Sequence, residues 1–299
     1  MSYETEADAM EPVITVGLDG SPESLAAARW AADEAGYRGF TLRLLHAWPL
    51  LAPEPTAVPA EIDQNYWARR LVHNAEAELR KRRPGLTVLV SLVADEAQDA
   101  LLHAASESTM TVLGSRGLEL VESYFLGDTS MSVAARSERP VVLVRAGTRV
   151  QAPPAAPERA NDVVVALKLH GPCDDVLDFA FAAAAARNAP VRAVHGQSLP
   201  VHAYVPWGVD HDVADGVAQD ARKQLEQVLH PWRVKYPGVE VADTVGLESP
   251  ARAVLRAADG AGLVVVGRRR HRLPAPRLGP VAQAALHHAR CPVAVVPHD

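Results

Sequence analysis

The chain repeats itself. VITVGLD at Val13 to Asp19 returns as VVVALK at Val163 to Lys168, and LRLLHAW at Leu42 to Trp48 returns as VRAVHGQ at Val191 to Gln197. MTVLGSRG at Met110 to Gly117 returns as LVVVGRRR at Leu263 to Arg270, and ERPVVLVR at Glu138 to Arg145 returns as RCPVAVVP at Arg290 to Pro297. The offset is 168 − 19 = 149 residues early and 267 − 114 = 153 late, a drift that small loop insertions account for. Matches that recur in one order mark a tandem duplication, so both halves must fold alike. The 299 residues leave room for about two domains. The division reads as residues 1–147, a linker at 148–161, and residues 162–299. The stretch AGTRVQAPPAAPERAN, Ala146 to Asn161, is rich in alanine and proline, has no apolar period, and reads as a semi-rigid connection.

Each copy alternates short apolar runs with longer helical segments. In the first, strands are expected at 13–18, 41–47, 86–93, 109–113 and 140–145, and helices at 22–37, 61–83, 96–107 and 128–137. The runs are apolar on successive residues, as in strands buried on both faces. Strands alternating with helices imply right-handed βαβ units and a mostly parallel sheet, an α/β fold. Ser21-Pro22 suits an N-cap followed by proline at the first helical position. The alanines at 26, 27, 28, 31 and 32 let that helix approach the sheet closely, and DDVLDFAFAAAAARNA does the same in the second copy.

Apolar residues make up 48% and charged residues 22%, which suits a soluble globular chain. The net charge of −6 argues against broad nucleic-acid binding. Two cysteines, Cys173 and Cys291, give no disulfide framework and no CxxC metal site. The polar, acidic start MSYETEADAMEP has no signal-peptide pattern, and no apolar run reaches the length of a membrane span. The expected location is the cytoplasm, with no membrane partner.

In an open parallel sheet, ligands bind outside the carboxyl ends of the strands, where strand order reverses. Two loops suit that place: GLDGSPES after the first strand and GSRG after the fourth. Glycine allows positive φ and close backbone approach. Gly127-Asp128-Thr129-Ser130 then opens a helix, whose free N–H groups favour anions. A phosphate fits between Gly117 and Gly127, Asp19 can accept from ribose hydroxyls or a base edge, and the backbone around Ala47 can meet an adenine edge. Glycine spacing alone does not separate this from simple turn chemistry.

The spacing Gly-x-x-Gly, nine residues, Gly, then small hydroxyl residues resembles the ATP-binding motif of the universal stress protein family. VGLDGSPES resembles that family's first strand and helix, LLHAW its second strand, and SERPVVLV and ARCPVAVV its closing strand. The resemblance covers both halves. It implies two Rossmann-like (adenine nucleotide alpha hydrolase-like) domains, each a five-stranded parallel sheet with helices on both faces, paired through the last strand. It also implies ATP binding, as in many members of that family, and Mg2+ is expected to accompany the nucleotide. Carried over by position, the adenosine contacts are Gly17, Leu18, Asp19 and Ala47, and the phosphate contacts are Gly114, Gly117, Gly127, Thr129 and Ser130.

Asp128 departs from the pattern, since serine or threonine is usual directly after the third glycine. Its carboxylate either caps the helix or meets a phosphate through a divalent ion. Arg116, inside the loop, offsets part of its charge. The second copy departs further. Lys168 replaces Asp19, the glycine pair becomes Gly267 and Arg270, and Pro280 takes the hydroxyl position. GRRRHR, Gly267 to Arg272, reads as a basic loop paired with acidic neighbours, or as an anion or docking patch. His46 and His195 read as packed histidines, and Cys291 as an inert buried thiol.

No catalytic constellation can be assembled, so any hydrolysis of ATP should be slow. The leading expectation is an ATP-binding stress-response regulator, with nucleotide in the first domain and a second domain that mainly serves structure or pairing. The alternatives are a nucleotide-free interaction module of the same fold and a slow ATP hydrolase. Expected partners are ATP, a homodimer or intrachain domain pair, and a regulatory protein.

Overall fold

A computed structural model of the chain describes residues 12–49, 64–116, 128–147, 160–205, 208–270 and 278–299. The first half runs β1 (Val13–Gly17), α1 (Pro22–Arg38), β2 (Thr41–Trp48), α2 (Gln64–Arg82), β3 (Val88–Ala94), α3 (Ala97–Ser106), β4 (Met110–Ser115), α4 (Asp128–Arg136) and β5 (Val141–Arg145). The second runs β6 (Val163–Ala166), α5 (Asp174–Arg187), β7 (Val191–Gly196), a small hairpin of β8 (Tyr204–Val205) and β9 (Gly208–Val209), α6 (His211–Lys235), β10 (Val241–Gly246), α7 (Pro250–Ala258), β11 (Leu263–Arg269), α8 (Pro280–His288) and β12 (Val293–His298). The strands and helices expected in the first copy are all present, with ends shifted by a few residues.

Ten strands form one sheet in the order β10-β7-β6-β11-β12-β5-β4-β1-β2-β3. Within each half the pairs are parallel, and the order is the same in both. The halves meet where β5 and β12 pair antiparallel, with Val141 opposite Val295, Val142 opposite Ala294 and Leu143 opposite Val293. Parallel strands need helical crossovers, and these cover both faces. One face packs against α1, α2, α5 and α6, the other against α3, α4, α7 and α8. Each apolar layer runs continuously through both halves.

Local chemistry explains the elements. Ser21 is the N-cap of α1, accepting from the Ser24 N–H at 3.1 Å with Pro22 at the first turn. Gly39, at φ +68°, ends the helix in the left-handed region. The alanine stripe does what its small volume permits: Ala27, Ala28, Ala31 and Ala32 are all but inaccessible against the sheet.

A buried ion cluster lies beside the join. Arg38 and Arg187 are the last residues of the matching helices α1 and α5. Both converge on Glu34, which is wholly buried: Arg38 Nε donates at 2.7 Å, Arg187 Nε at 2.9 Å and Arg187 Nη2 at 2.6 Å. The Arg187 guanidinium also stacks over Trp30, 5.1 Å from its ring centre. Two further arginines reach across the join reciprocally. Arg145 Nη2 donates to the Leu286 carbonyl in α8 at 2.7 Å, and the buried Arg268 donates to the Ser137 carbonyl just past α4. Each places a cation on the C-terminal end of a helix from the other half, where the carbonyls and the dipole favour it.

Candidate functional site

In the first half, β1 lies between β2 and β4, so strand order reverses there and a crevice opens above the carboxyl ends of β1 and β4. The loop after β1 is held from two sides. Leu18 donates its N–H to the Leu45 carbonyl at 2.8 Å. Its own carbonyl lies 2.7 Å from His46 Nδ1. A carbonyl only accepts, so Nδ1 carries the proton and donates. The second half repeats the strut, with His195 Nδ1 2.9 Å from the Leu167 carbonyl. The two histidines are therefore not mere packing. They brace the loops that line the crevices, a role that their matched positions at strand ends could have signalled.

Asp19 faces the crevice from this loop. Its Oδ1 accepts from the Ser21 N–H at 2.9 Å and the Ser21 hydroxyl at 2.5 Å. Gly20, at φ +84°, makes the turn, and the Leu71 side chain of α2 stands 2.8 Å from where a Cβ would sit. Partial burial pushes the Asp19 carboxyl up, but hydrogen bonds from Ser21 and Ser24 and the Arg116 charge outweigh it. The net direction is down from the ordinary value of 3.8, so the group is an anion at neutral pH. A carboxylate depressed in the folded state adds stability that is present above its unfolded pKa and lost as pH falls through the folded one. Urea midpoints should therefore drop as pH falls below about 4. Part of that drop should disappear in Asp19→Asn. An unchanged pH profile in the variant would rule out this contribution.

At the end of β4, Gly114 is closed in rather than open. A Cβ there would lie 2.6 Å from the Glu23 carbonyl carbon and 2.7 Å from the Ser24 nitrogen, both α1 backbone. The Ser130 hydroxyl donates to the Gly114 carbonyl at 3.1 Å and ties the first turn of α4 to β4. Ser115 points to the opposite face from Gly114, as strand alternation requires. Its hydroxyl is buried without a partner among the described residues. Arg116 is exposed, and its charge acts on Asp19 across the crevice.

The structure thus brings Gly17, Leu18, Asp19, Ala47, Gly114, Arg116, Thr129 and Ser130 to one end of the sheet. Gly117 and Gly127 lie outside the described residues. Asp128 is the first residue of α4. Its side chain also lies outside the description, and with it the choice between cap and metal bridge. Among the described residues, no group of three or more His, Cys, Asp or Glu could hold a metal ion.

The second crevice is built differently. The β11–β12 pairing continues to Arg269 opposite His298, one step beyond the equivalent β4–β5 pairing, which stops at Ser115 opposite Arg145. The His298 ring fills the space over Gly267, 2.7 Å from where a Cβ would sit. Arg269 Nη2 comes within 3.8 Å of the Cβ position of Gly171, in the loop after β6. Arg270 pairs with Asp175 of α5 at 3.2 Å, Asp299 at 3.4 Å and Glu138 of the first half at 3.6 Å. Arg269 and Arg270 span from the end of β11 to the loop and helix after β6. For Arg270 the reading of a basic loop paired with acidic neighbours holds, while Arg272 lies outside the described residues. Cys291 is buried, and burial pushes its thiol up to about 12, as expected of an inert core cysteine.

The sequence profile of the universal stress protein family matches residues 11–145 and again 160–297. The chain belongs to the universal stress protein family. A universal stress protein of Mycobacterium tuberculosis is 32% identical over 294 residues, covering 94% of this chain and 96% of its own. One from Mycolicibacterium smegmatis is 29% identical, covering 96% of this chain and 98% of its own. The solved structure of a universal stress protein from Archaeoglobus fulgidus superposes with TM-score 0.66 at 17% identity, covering 96% of this chain and 98% of that one. A putative universal stress protein from Pseudomonas aeruginosa superposes with TM-score 0.61 at 14% identity, over 97% of this chain and 94% of that one. At those identities the structures establish the fold. No helix among the described residues is long and apolar enough to cross a membrane.

Proposed function

We propose that this universal stress protein is a nucleotide-dependent regulator that holds ATP, with Mg2+, in the crevice of its first half. The observation that carries the reading is the difference between the two crevices. The first presents an ionised Asp19 at the end of β1, an exposed Arg116 at the end of β4 and the start of α4 at one end of the sheet. The second is spanned by Arg269 and Arg270. Asp19 would accept from the ribose hydroxyls, the Ala47 backbone would meet the base, and the loop from Gly114 to Ser130 would hold the phosphates. ATP would supply a polyanion that bridges the loops after β1 and β4. Residues 1–147 and 162–299 then act as two domains joined by 148–161, with the second serving mainly as a pairing platform. On this reading Asp19 is held to the ribose rather than to an attacking water, and any turnover of bound ATP would be slow.

Calorimetry with ATP and Mg2+ tests this, together with mass spectrometry of nucleotide released from fresh protein. Asp19→Ala is expected to weaken ATP at least about tenfold, or ~1.4 kcal/mol, while Lys168→Ala leaves it unchanged. Asp128→Ser separates two roles. Magnesium-dependent weakening means that the aspartate holds the metal, and tighter binding means that it only repels phosphate. A wild type that takes no ATP at millimolar concentration sinks the proposal in favour of a nucleotide-free interaction module.

A further inference from the structure

Joining β5 to β12 leaves the sheet with two outer edges, β3 and β10. They are finished differently. β10, VADTVG, carries Asp243, which is exposed and paired with Arg233 at 2.9 Å. A charge on an edge strand deters pairing with another chain. β3, VLVSLVA, has no charge, no proline and no glycine. Leu89 and Val90 are 48% and 47% exposed. Alternation sends one to each face of the sheet, so the strand is apolar on both sides.

We propose that β3 is a homodimer edge, pairing antiparallel with β3 of a second copy. The strand is self-complementary about Ser91. A twofold axis there sets Val88 against Ala94, Leu89 against Val93 and Val90 against Leu92, apolar against apolar throughout. A symmetric dimer needs a patch that complements itself in this way, whereas a strand that receives a foreign peptide does not. The chain already uses an antiparallel join of strands between β5 and β12, so both fifth strands are occupied. β3 is the uncharged edge that remains. The dimer would carry one sheet of 2 × 10 = 20 strands. It would leave both crevices of each copy at the carboxyl ends of their strands, away from the β3 edge.

Ser91→Cys in a Cys173→Ser background tests the register. Directly opposed residues of an antiparallel pair lie about 4.5–5.5 Å apart at Cα, within disulfide reach. Oxidation should give a covalent dimer on a non-reducing gel, while Thr244→Cys on β10 in the same background stays monomeric. Adding Val90→Lys should abolish the cross-link. Val90→Lys alone should halve the mass measured by light scattering and leave circular dichroism unchanged, because Val90 is an exposed position. A wild type that is monomeric at every concentration overturns the proposal, and so does a dimer indifferent to Val90→Lys. A monomer that captures an extended apolar peptide, with the same sensitivity to Val90→Lys, also overturns the second copy and gives the edge to a peptide.

Discussion

Replacing Glu34 by alanine should destabilise the chain by about 3–5 kcal/mol, the cost of breaking a buried ion cluster by removing one partner. The carboxylate is wholly buried, and the side chains of Arg38 and Arg187 are each only 9% exposed. Without it, two guanidinium groups face each other with nothing between them. Arg38 already carries a buried Nη2 without a hydrogen bond among the described residues, so it has little capacity to rearrange. Glu34→Gln should cost less, because the amide oxygen still accepts one or two of the three bonds. The effect should also reach the coupling of the halves. Arg187 comes from α5 and Glu34 from α1, so the variant removes a contact that makes the two unfold together. Urea unfolding followed by circular dichroism should show a lower midpoint and a broader or split transition. A loss under about 1 kcal/mol would mean that solvent or repacking relieves the arginines and that the cluster does not hold the join.

This cluster also shows where sequence reading stops. The strands were legible because strands buried on both faces are written as unbroken apolar runs, and the duplication supplied a second copy to check each one. The capping Ser21-Pro22 pair was legible because N-cap chemistry is local. Glu34 was not, because on α1 alone it looks like any charged residue of a surface helix. Its burial depends on α5, from the other half, lying beside it. The one available signal was that Arg38 and Arg187 stand 187 − 38 = 149 residues apart, the offset of the repeat, at the ends of matching helices. The histidine struts were visible in the same way, as a matched pair, but their bonds to Leu18 and Leu167 depend on backbone geometry that no spacing encodes. The second crevice was legible as a departure, while the bridging by Arg269 and Arg270 needed the fold to bring Asp175, Asp299 and Glu138 together.

Gly114 gives the sharper test, because sequence and structure assign it different reasons for being glycine. The sequence reads it as the first residue of a phosphate cradle. The structure adds α1, whose backbone at Glu23 and Ser24 would lie within 2.7 Å of a Cβ at Gly114. Backbone at that range cannot turn aside as a side-chain tip can, so Gly114→Ala must push the start of α1 away from β4. Overpacking of this kind costs about 1–3 kcal/mol, and the tight approach to backbone places Gly114→Ala toward the upper end. The displaced turn is also the one in which Ser21 and Ser24 hold Asp19, so ATP affinity should fall together with stability. Gly267, the matching residue, makes the comparison within one chain. Its nearest obstacle is the tip of the His298 ring, which can rotate away, with Val176 Cγ2 next at 3.2 Å. Gly267→Ala should therefore cost clearly less than Gly114→Ala, and Gly85→Ala, with nothing within 4 Å of its Cβ position, should be close to neutral. Thermal and urea unfolding of the three variants checks the order. Equal costs at Gly114 and Gly267 would refute the α1 approach as the reason for glycine. A Gly114→Ala chain that kept wild-type stability but lost ATP binding would return the residue to the phosphate cradle alone.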